Sequence, residues 1–304
     1  RAEVTVRRRP EIVNSAALLG LWQTISQLSS YRVQIRTDHL MQSAIARMTT
    51  AAILPPSIQI THAVLSAEQD TDELRAVVTA LPTENIVASQ RLAGQDLVTL
   101  VQDGLANHSP SLYLTRRTIA RIITECGRGP EAVQMPREFA QTLVTILLEL
   151  LPVEMTVTIT YEKTGVSLPL DVLRQAFQAP QDMAIPTPAG ANVYDHAVVE
   201  SGPEKLAVKT LEDLASVQAY LKLPAGFTIP TPLGSYNPDW ALVSEEPDRG
   251  LVKLVRETKS GDPNGVLRPS EQAKINCGAA HFSALDIDFA RWDGSLHDLF
   301  RPTP

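Results

Sequence analysis

Cysteine is nearly absent from this 304-residue chain, and the two that occur, Cys126 and Cys277, lie far apart in sequence. No CxxC pair and no Cys/His cluster is present, which argues against structural zinc or a disulfide framework and fits a reducing, cytoplasmic setting. Long apolar runs are missing as well. The longest apolar patch, TLVTILLELL from Thr142 to Leu151, is broken by Glu149 and falls short of the ~18 residues expected of a membrane span, so no membrane partner is expected. The opening RAEVTVRRRPEI has a basic run with no apolar stretch behind it, unlike a signal peptide, and a first Arg in place of Met points to a fragment of something longer. No GxxxxGK[ST] phosphate loop occurs, so ATP hydrolysis is not expected of this chain. A formal net charge of -7 leaves no positive excess with which to grip nucleic acid by bulk electrostatics.

What is there is the composition of a globular protein, 44% hydrophobic and 20% charged. At ~100–200 residues per domain, the length predicts two domains. Residues 11–28 space Ile12, Ala16, Leu19, Trp22, Ile25 and Leu28 by three or four, one face of a helix. YRVQIR (31–36), SIQITHAVLS (57–66) and EMTVTITYE (154–162) alternate as strands, while LTRRTIARIITE behind Thr115 as N-cap and PREFAQTLVTILLELL behind Pro136 read as helices. The proline-rich stretch 179–193 then marks a boundary, giving a mixed α/β connector domain over 1–185 and a second domain over 190–304. Acidity is concentrated beyond that boundary, where 16 Asp/Glu face 11 Lys/Arg in residues 191–304, a balance better suited to metal than to phosphate binding.

In the second region, 204–221 reads as an amphipathic helix and GFTIPTP as a short strand cut by Pro230 and Pro232. DWALVSE (239–245) and GLVKLVRETK (250–259) read as a hairpin, 270–282 as a helix and ALDIDF (284–289) as a last strand. The order helix, strand, strand, strand, helix, strand predicts a small α/β layer with a mixed sheet. The hairpin also gathers chemistry. Asp239 opens one strand and Glu257-Thr258-Lys259 ends the other, with Glu257 and Lys259 on one face. Two carboxylates converging at a sheet end make a hard-oxygen site of the kind Mg²⁺ prefers while keeping several waters. A nearby ammonium can orient a water and stabilise the charge of a phosphoryl-transfer transition state. By itself an acid-x-Lys triplet is common in chains of this length; its placement, opposite an acid on the neighbouring strand, is what distinguishes it.

These residues carry a resemblance. IPTPLGSYNPDWALV (229–243), VRETKS (255–260) and EQAKINCGAAHF (271–282) resemble the C-terminal nuclease domain of the restriction (Res) subunit of type III restriction-modification enzymes, a PD-(D/E)xK nuclease. More loosely, GLWQTISQLSSYRVQI, LTRRTIARII and PREFAQTLVTIL are similar to the segment linking motor to nuclease in those subunits, so the likeness extends over most of the chain. The resemblance implies a PD-(D/E)xK nuclease-like mixed sheet flanked by helices and a Mg²⁺-dependent, site-specific deoxyribonuclease acting in phage defence. It implies Asp239 and Glu257 as metal-binding carboxylates, Lys259 as the catalytic lysine and the Thr258 carbonyl as a further metal ligand. Glu204 matches an upstream acid near the metal, and Glu271 and Lys274 a charged pair facing the site from the following helix. The implied partners are double-stranded DNA, the methyltransferase (Mod) subunit that reads sequence, and an ATP-driven helicase motor absent from this chain.

The chain departs from that pattern at VVESGPEKLA, where the family more often has an aspartate-serine step before its acidic helix start. Two other readings stand beside the nuclease: a non-catalytic assembly module with a decayed nuclease fold, and a related nuclease of DNA repair. Several residues have plainer readings too. Arg7-Arg8-Arg9 is a phosphate contact or a solvated strand edge, and Arg116, Arg117 and Arg121 form a DNA-facing or simply exposed helix face. His281 and Cys277 read as structural core residues, and Glu271 with Lys274 also fits a surface ion pair.

Overall fold

The computed structural model describes residues 2–54, 57–60, 63–70, 73–80, 84–87, 96–108, 112–258 and 267–300. The chain opens with β1 (Glu3–Arg7), α1 (Pro10–Val13), α2 (Ala16–Ile25) and β2 (Gln27–Arg32). Then come α3 (Thr37–Thr50), β3 (Ser57–Ile60), β4 (Ala63–Asp70), β5 (Glu73–Ala80), β6 (Glu84–Val87), α4 (Leu97–Ala106), α5 (Arg116–Glu125), α6 (Gly129–Gln134) and α7 (Pro136–Val157). The remainder supplies β7 (Thr160–Ser167), β8 (Ala176–Pro180), β9 (Ala184–Pro186), β10 (His196–Val198), α8 (Gly202–Asp213) and β11 (Val217–Lys222). It ends with β12 (Trp240–Glu246), β13 (Gly250–Thr258), α9 (Pro269–Ala284), β14 (Asp288–Trp292) and α10 (Leu296–Leu299).

The chain divides into two compact units, Arg1–Ile35 with Pro152–Pro304, and Arg36–Leu151. The division expected at 185–190 falls within the first of these units. The N-terminal strands find their partners far along the chain, β1 beside β8 and β2 beside β7, both antiparallel. Helix α2 packs on β11 and β12 and contributes Leu18, Leu21, Trp22 and Ile25 to the core under the C-terminal sheet. Its start is set by Ser15, whose Oγ accepts from the Leu18 N–H. Arg8 and Arg9 are structural here: Arg8 donates to the Leu173 carbonyl, and Arg9 to the carbonyls of Thr187, Asn192 and Tyr194.

The sheet that positions the candidate site has the order β11-β12-β13-β14, antiparallel except for the parallel β13–β14 pair. A parallel neighbour needs a crossover, and α9 supplies it. Both faces are covered, as alternation along the strands requires. Ala219, Leu221, Ala241, Val243 and Val255 face the cluster holding α2 and, from α9, Ile275, Cys277 and Phe282. Tyr220, Trp240, Leu242, Leu254 and Trp292 face Ala207, Val208 and Leu211 of α8. Each such fully buried large apolar side chain contributes roughly 1.5–3 kcal/mol. The mixed α/β sheet flanked by helices is thus the expected fold.

Some elements differ from expectation. Residues 204–221 are not one helix: α8 ends at Asp213 and the segment from Val217 is strand β11. Ala219, Tyr220 and Leu221 are all buried, on two different faces, so the polar alternation that marks a strand is erased. GFTIPTP supplies only an isolated bridge, Ile229 to Tyr236. The order of elements survives because β11 takes the place expected of that strand. Helix α7 continues past Leu151 through Pro152 to Val157, delaying the next strand to Thr160.

In the other unit, α5 lies beside α3 and α4, with Thr115 capping it through the Thr118 N–H at 3.2 Å as expected. Leu40, Ala44, Met48, Val101, Leu105, Ile119 and Ile122 are buried there. By length and composition alone α7 could cross a membrane, yet Phe139, Leu143, Leu147 and Leu151, four apart, are buried inside the protein. A Cβ on Gly104 of α4 would fall 2.6 Å from Val144 Cγ2, so this glycine permits close approach to α7. The pairs β3–β6 and β4–β5 are antiparallel.

Candidate active site

Trp240 pairs with Arg256, and one step further the register sets Asp239 across from Glu257 at the end of the sheet. The two acids thus stand at neighbouring positions of adjacent strands, and each carboxylate has its own donor. Asp239 Oδ2 accepts from the Thr258 N–H at 2.7 Å and from Thr258 Oγ1 at 2.6 Å. The Asp239 carbonyl accepts from the Leu223 N–H at 2.7 Å, fixing the entry to β12 against the end of β11. Trp240 Nε1 in turn donates to Thr258 Oγ1 at 3.3 Å. Thr258 thus acts on the site through its side chain and N–H, a role beyond the carbonyl implied by the resemblance.

Glu257 is 3% exposed, and its Oε2 accepts from the Tyr236 hydroxyl at 2.7 Å. Tyr236 was not singled out from sequence. Its ring is seated by α9: a Cβ on Gly278 would lie 2.5 Å from Tyr236 Cε1, so only glycine leaves that ring its place. Burial, with the charges of Glu257 and Asp239, holds the phenol well above its ordinary pKa, so it remains a hydrogen donor.

Glu204 sits in the first turn of α8, buried, and closes a capping arrangement. Its N–H donates to Ser201 Oγ at 3.3 Å while its Oε2 accepts from the Glu200 N–H at 2.8 Å. The spacing Ser201-x-x-Glu204 is the signature of such a cap and gives Glu204 a structural role. The same Oε2 accepts from Lys222 Nζ at 2.7 Å. Lys222 ends β11, opposite Trp240, and is the second residue that sequence reasoning missed; reading 204–221 as a helix hid its strand position.

Burial pushes the Asp239 carboxyl above its ordinary value; the Thr258 hydrogen bonds oppose this, Glu204 adds to it and Lys222 counters. A buried carboxylate raised by a second carboxylate is a place where a cation would be welcomed. On α9, Lys274 Nζ reaches the Ser235 carbonyl at 3.4 Å and Glu271 is exposed; no ion pair joins them among the described residues. Lys259 lies outside the described residues. Cys277 and His281 are buried, as their core readings require, His281 Nδ1 lying 2.7 Å from Ser29 Oγ.

No group of three or more His, Cys, Asp or Glu residues suited to holding a metal ion occurs among the described residues. The donor set fits in kind a hard divalent cation that takes two carboxylates and keeps its waters, with Asp239 and Glu257 as those two. A family model described as an endonuclease domain matches residues 190–295. No curated protein and no solved structure matches the chain. That segment is similar to endonuclease domains, its mixed sheet is restriction-endonuclease-like, and the match supports a nuclease activity.

Proposed function

We propose that this chain is the endonuclease part of a type III restriction enzyme Res subunit, hydrolysing DNA phosphodiester bonds with Mg²⁺. The observation that carries the reading is the placing of Asp239 and Glu257 at neighbouring positions of adjacent strands, Glu257 buried and Asp239 half-buried, each oriented by its own donor. Asp239 and Glu257 would hold the metal. When bound, Mg²⁺ supplies a Lewis acid for a phosphoryl oxygen and acidifies water. Thr258 fixes the Asp239 carboxylate through two donors, and Tyr236 fixes Glu257 through one, so neither side chain needs to reorganise. Lys259, next along from Thr258, is assigned the role of orienting the attacking water and steadying charge on the phosphate. Double-stranded DNA is the substrate, the Mod subunit supplies sequence recognition, and the ATP-driven motor supplies regulation, which suits a nuclease domain of acidic balance.

The test is nicking of supercoiled plasmid by the purified chain in Mg²⁺ or Mn²⁺, alone and with motor and Mod subunits, beside Asp239→Asn and Lys259→Ala. The expected result is metal-dependent cleavage lost in both variants, by more than about a hundredfold. Cleavage that persists in either variant, or none by the folded wild type with motor, Mod and ATP present, removes the reading. Cleavage that never responds to Mod or ATP removes the type III assignment and leaves the nuclease.

A further inference from the structure

Glu204 is buried beside the candidate metal ligands, yet its carboxylate is already engaged. Its Oε2 accepts two donors, Lys222 Nζ at 2.7 Å and the Glu200 N–H at 2.8 Å. Neither donor is free to wander. The Glu200 N–H belongs to the backbone entering α8, and Lys222 is the last residue of β11, paired across to Trp240 beside Asp239. The Leu223 N–H to Asp239 carbonyl bond ties the same strand end to the metal-binding strand. The side chains of Lys222 and Glu204 are only 25% and 11% exposed, so water screens their attraction weakly.

We infer that the Lys222 ammonium is a built-in counter-cation that keeps Glu204 out of the metal's coordination sphere, so that the site takes one divalent cation, on Asp239 and Glu257. A cation on Glu204 would have to sit against the ammonium, and two positive charges compete for one carboxylate. The pair has a second effect. Asp239 senses Glu204 and Lys222 with opposite sign, so Lys222 offsets the repulsion that Glu204 alone would exert on the metal ligand. Lys222 is therefore a positioning residue, acting through Glu204. The inference rests on the metal-dependent nuclease reading and adds the number of metals to it.

The measurement is Mn²⁺ titration of the full chain, with free Mn²⁺ followed by electron paramagnetic resonance and folding checked by circular dichroism. Wild type should bind one Mn²⁺, lost in Asp239→Asn. Lys222→Met should bind a second, removed again when Glu204→Gln is added, whereas Lys222→Arg should stay at one. The double variant Glu204→Gln/Lys222→Gln removes both charges of a pair whose replacement is often neutral for folding, and should keep one Mn²⁺ with affinity within about threefold of wild type. A Lys222→Met chain that binds one Mn²⁺ with wild-type affinity overturns the inference. So does a folded double variant whose affinity falls about tenfold or more, since Glu204 would then be a ligand. Failure of the wild type to bind Mn²⁺ at all is a different result: it removes the metal-dependent nuclease reading, and this inference with it.

Discussion

Arg256 and Glu257 are neighbours on β13, both buried, and they face opposite sides of one sheet with opposite outcomes. Arg256, fully buried, donates to the carbonyls of Leu299, Val255 and Asp288 and pairs with Asp288 Oδ1 at 3.0 Å. Burial lowers its pKa and the Asp288 charge opposes that. On the other face Glu257 accepts from the Tyr236 hydroxyl, and at the neighbouring strand end the Asp239 carboxyl is driven upward by burial, with Glu204 adding to it and Lys222 opposing. A buried charge given its own counter-charge is scaffold. A carboxyl raised by burial and by a second acid costs stability when charged, and such groups cluster at functional sites.

The contrast is sharpest in stability. Asp288→Ala should leave the guanidinium buried without its carboxylate and lower unfolding free energy in urea by about 3 kcal/mol. Asp239→Asn should do the reverse. Asp239 has its folded pKa raised above the ordinary 3.8, so the folded state holds its proton more tightly than the unfolded chain does. Its contribution favours folding at pH below 3.8 and is lost as pH rises through the folded value. The Asn variant should therefore match or exceed wild-type stability at pH 8, with the advantage vanishing in acid; a destabilised Asn variant at pH 8 would break the comparison.

Smaller effects follow from how the acids are held. Tyr236→Phe removes the hydroxyl that donates to Glu257 and should weaken Mn²⁺ binding by about 10–100-fold, measured by calorimetry. Gly278→Ala should displace the Tyr236 ring, costing about 1–3 kcal/mol in thermal unfolding and weakening Mn²⁺ binding in the same direction as Tyr236→Phe. The gentlest effect lies away from the acids. Burial depresses the His281 pKa to about 4 from 6.5, so its contribution to stability is present above 6.5 and is lost as pH falls from there through 4. His281→Gln should flatten that part of the urea-denaturation profile.

The most legible part of the sequence was the hairpin. Two mainly apolar runs, 240–243 and 251–255, flank a turn at Pro247, Asp248 and Gly250, and that local signal already set Asp239 and Glu257 at the same end of a hairpin. Strand β11 was hidden because burial on both faces removes the polar beat, and Lys222 was hidden with it. The long-range pairs were illegible for a different reason: β1 and β2 pair with strands more than a hundred residues on, and pairing at that range leaves no local trace. Tyr236 lies in an irregular stretch, where its role depends on a glycine forty residues on.

The discontinuous unit also has a history within each molecule's synthesis. Residues 1–35 are synthesised well before β7 and β8 exist to receive them, and β13 has its parallel neighbour β14 only after α9 has been made. Such long-range pairing is slow, because loop closure must precede the contacts that reward it. The sheet that carries Asp239 and Glu257 therefore gains its α2 cover only by bringing together segments about two hundred residues apart.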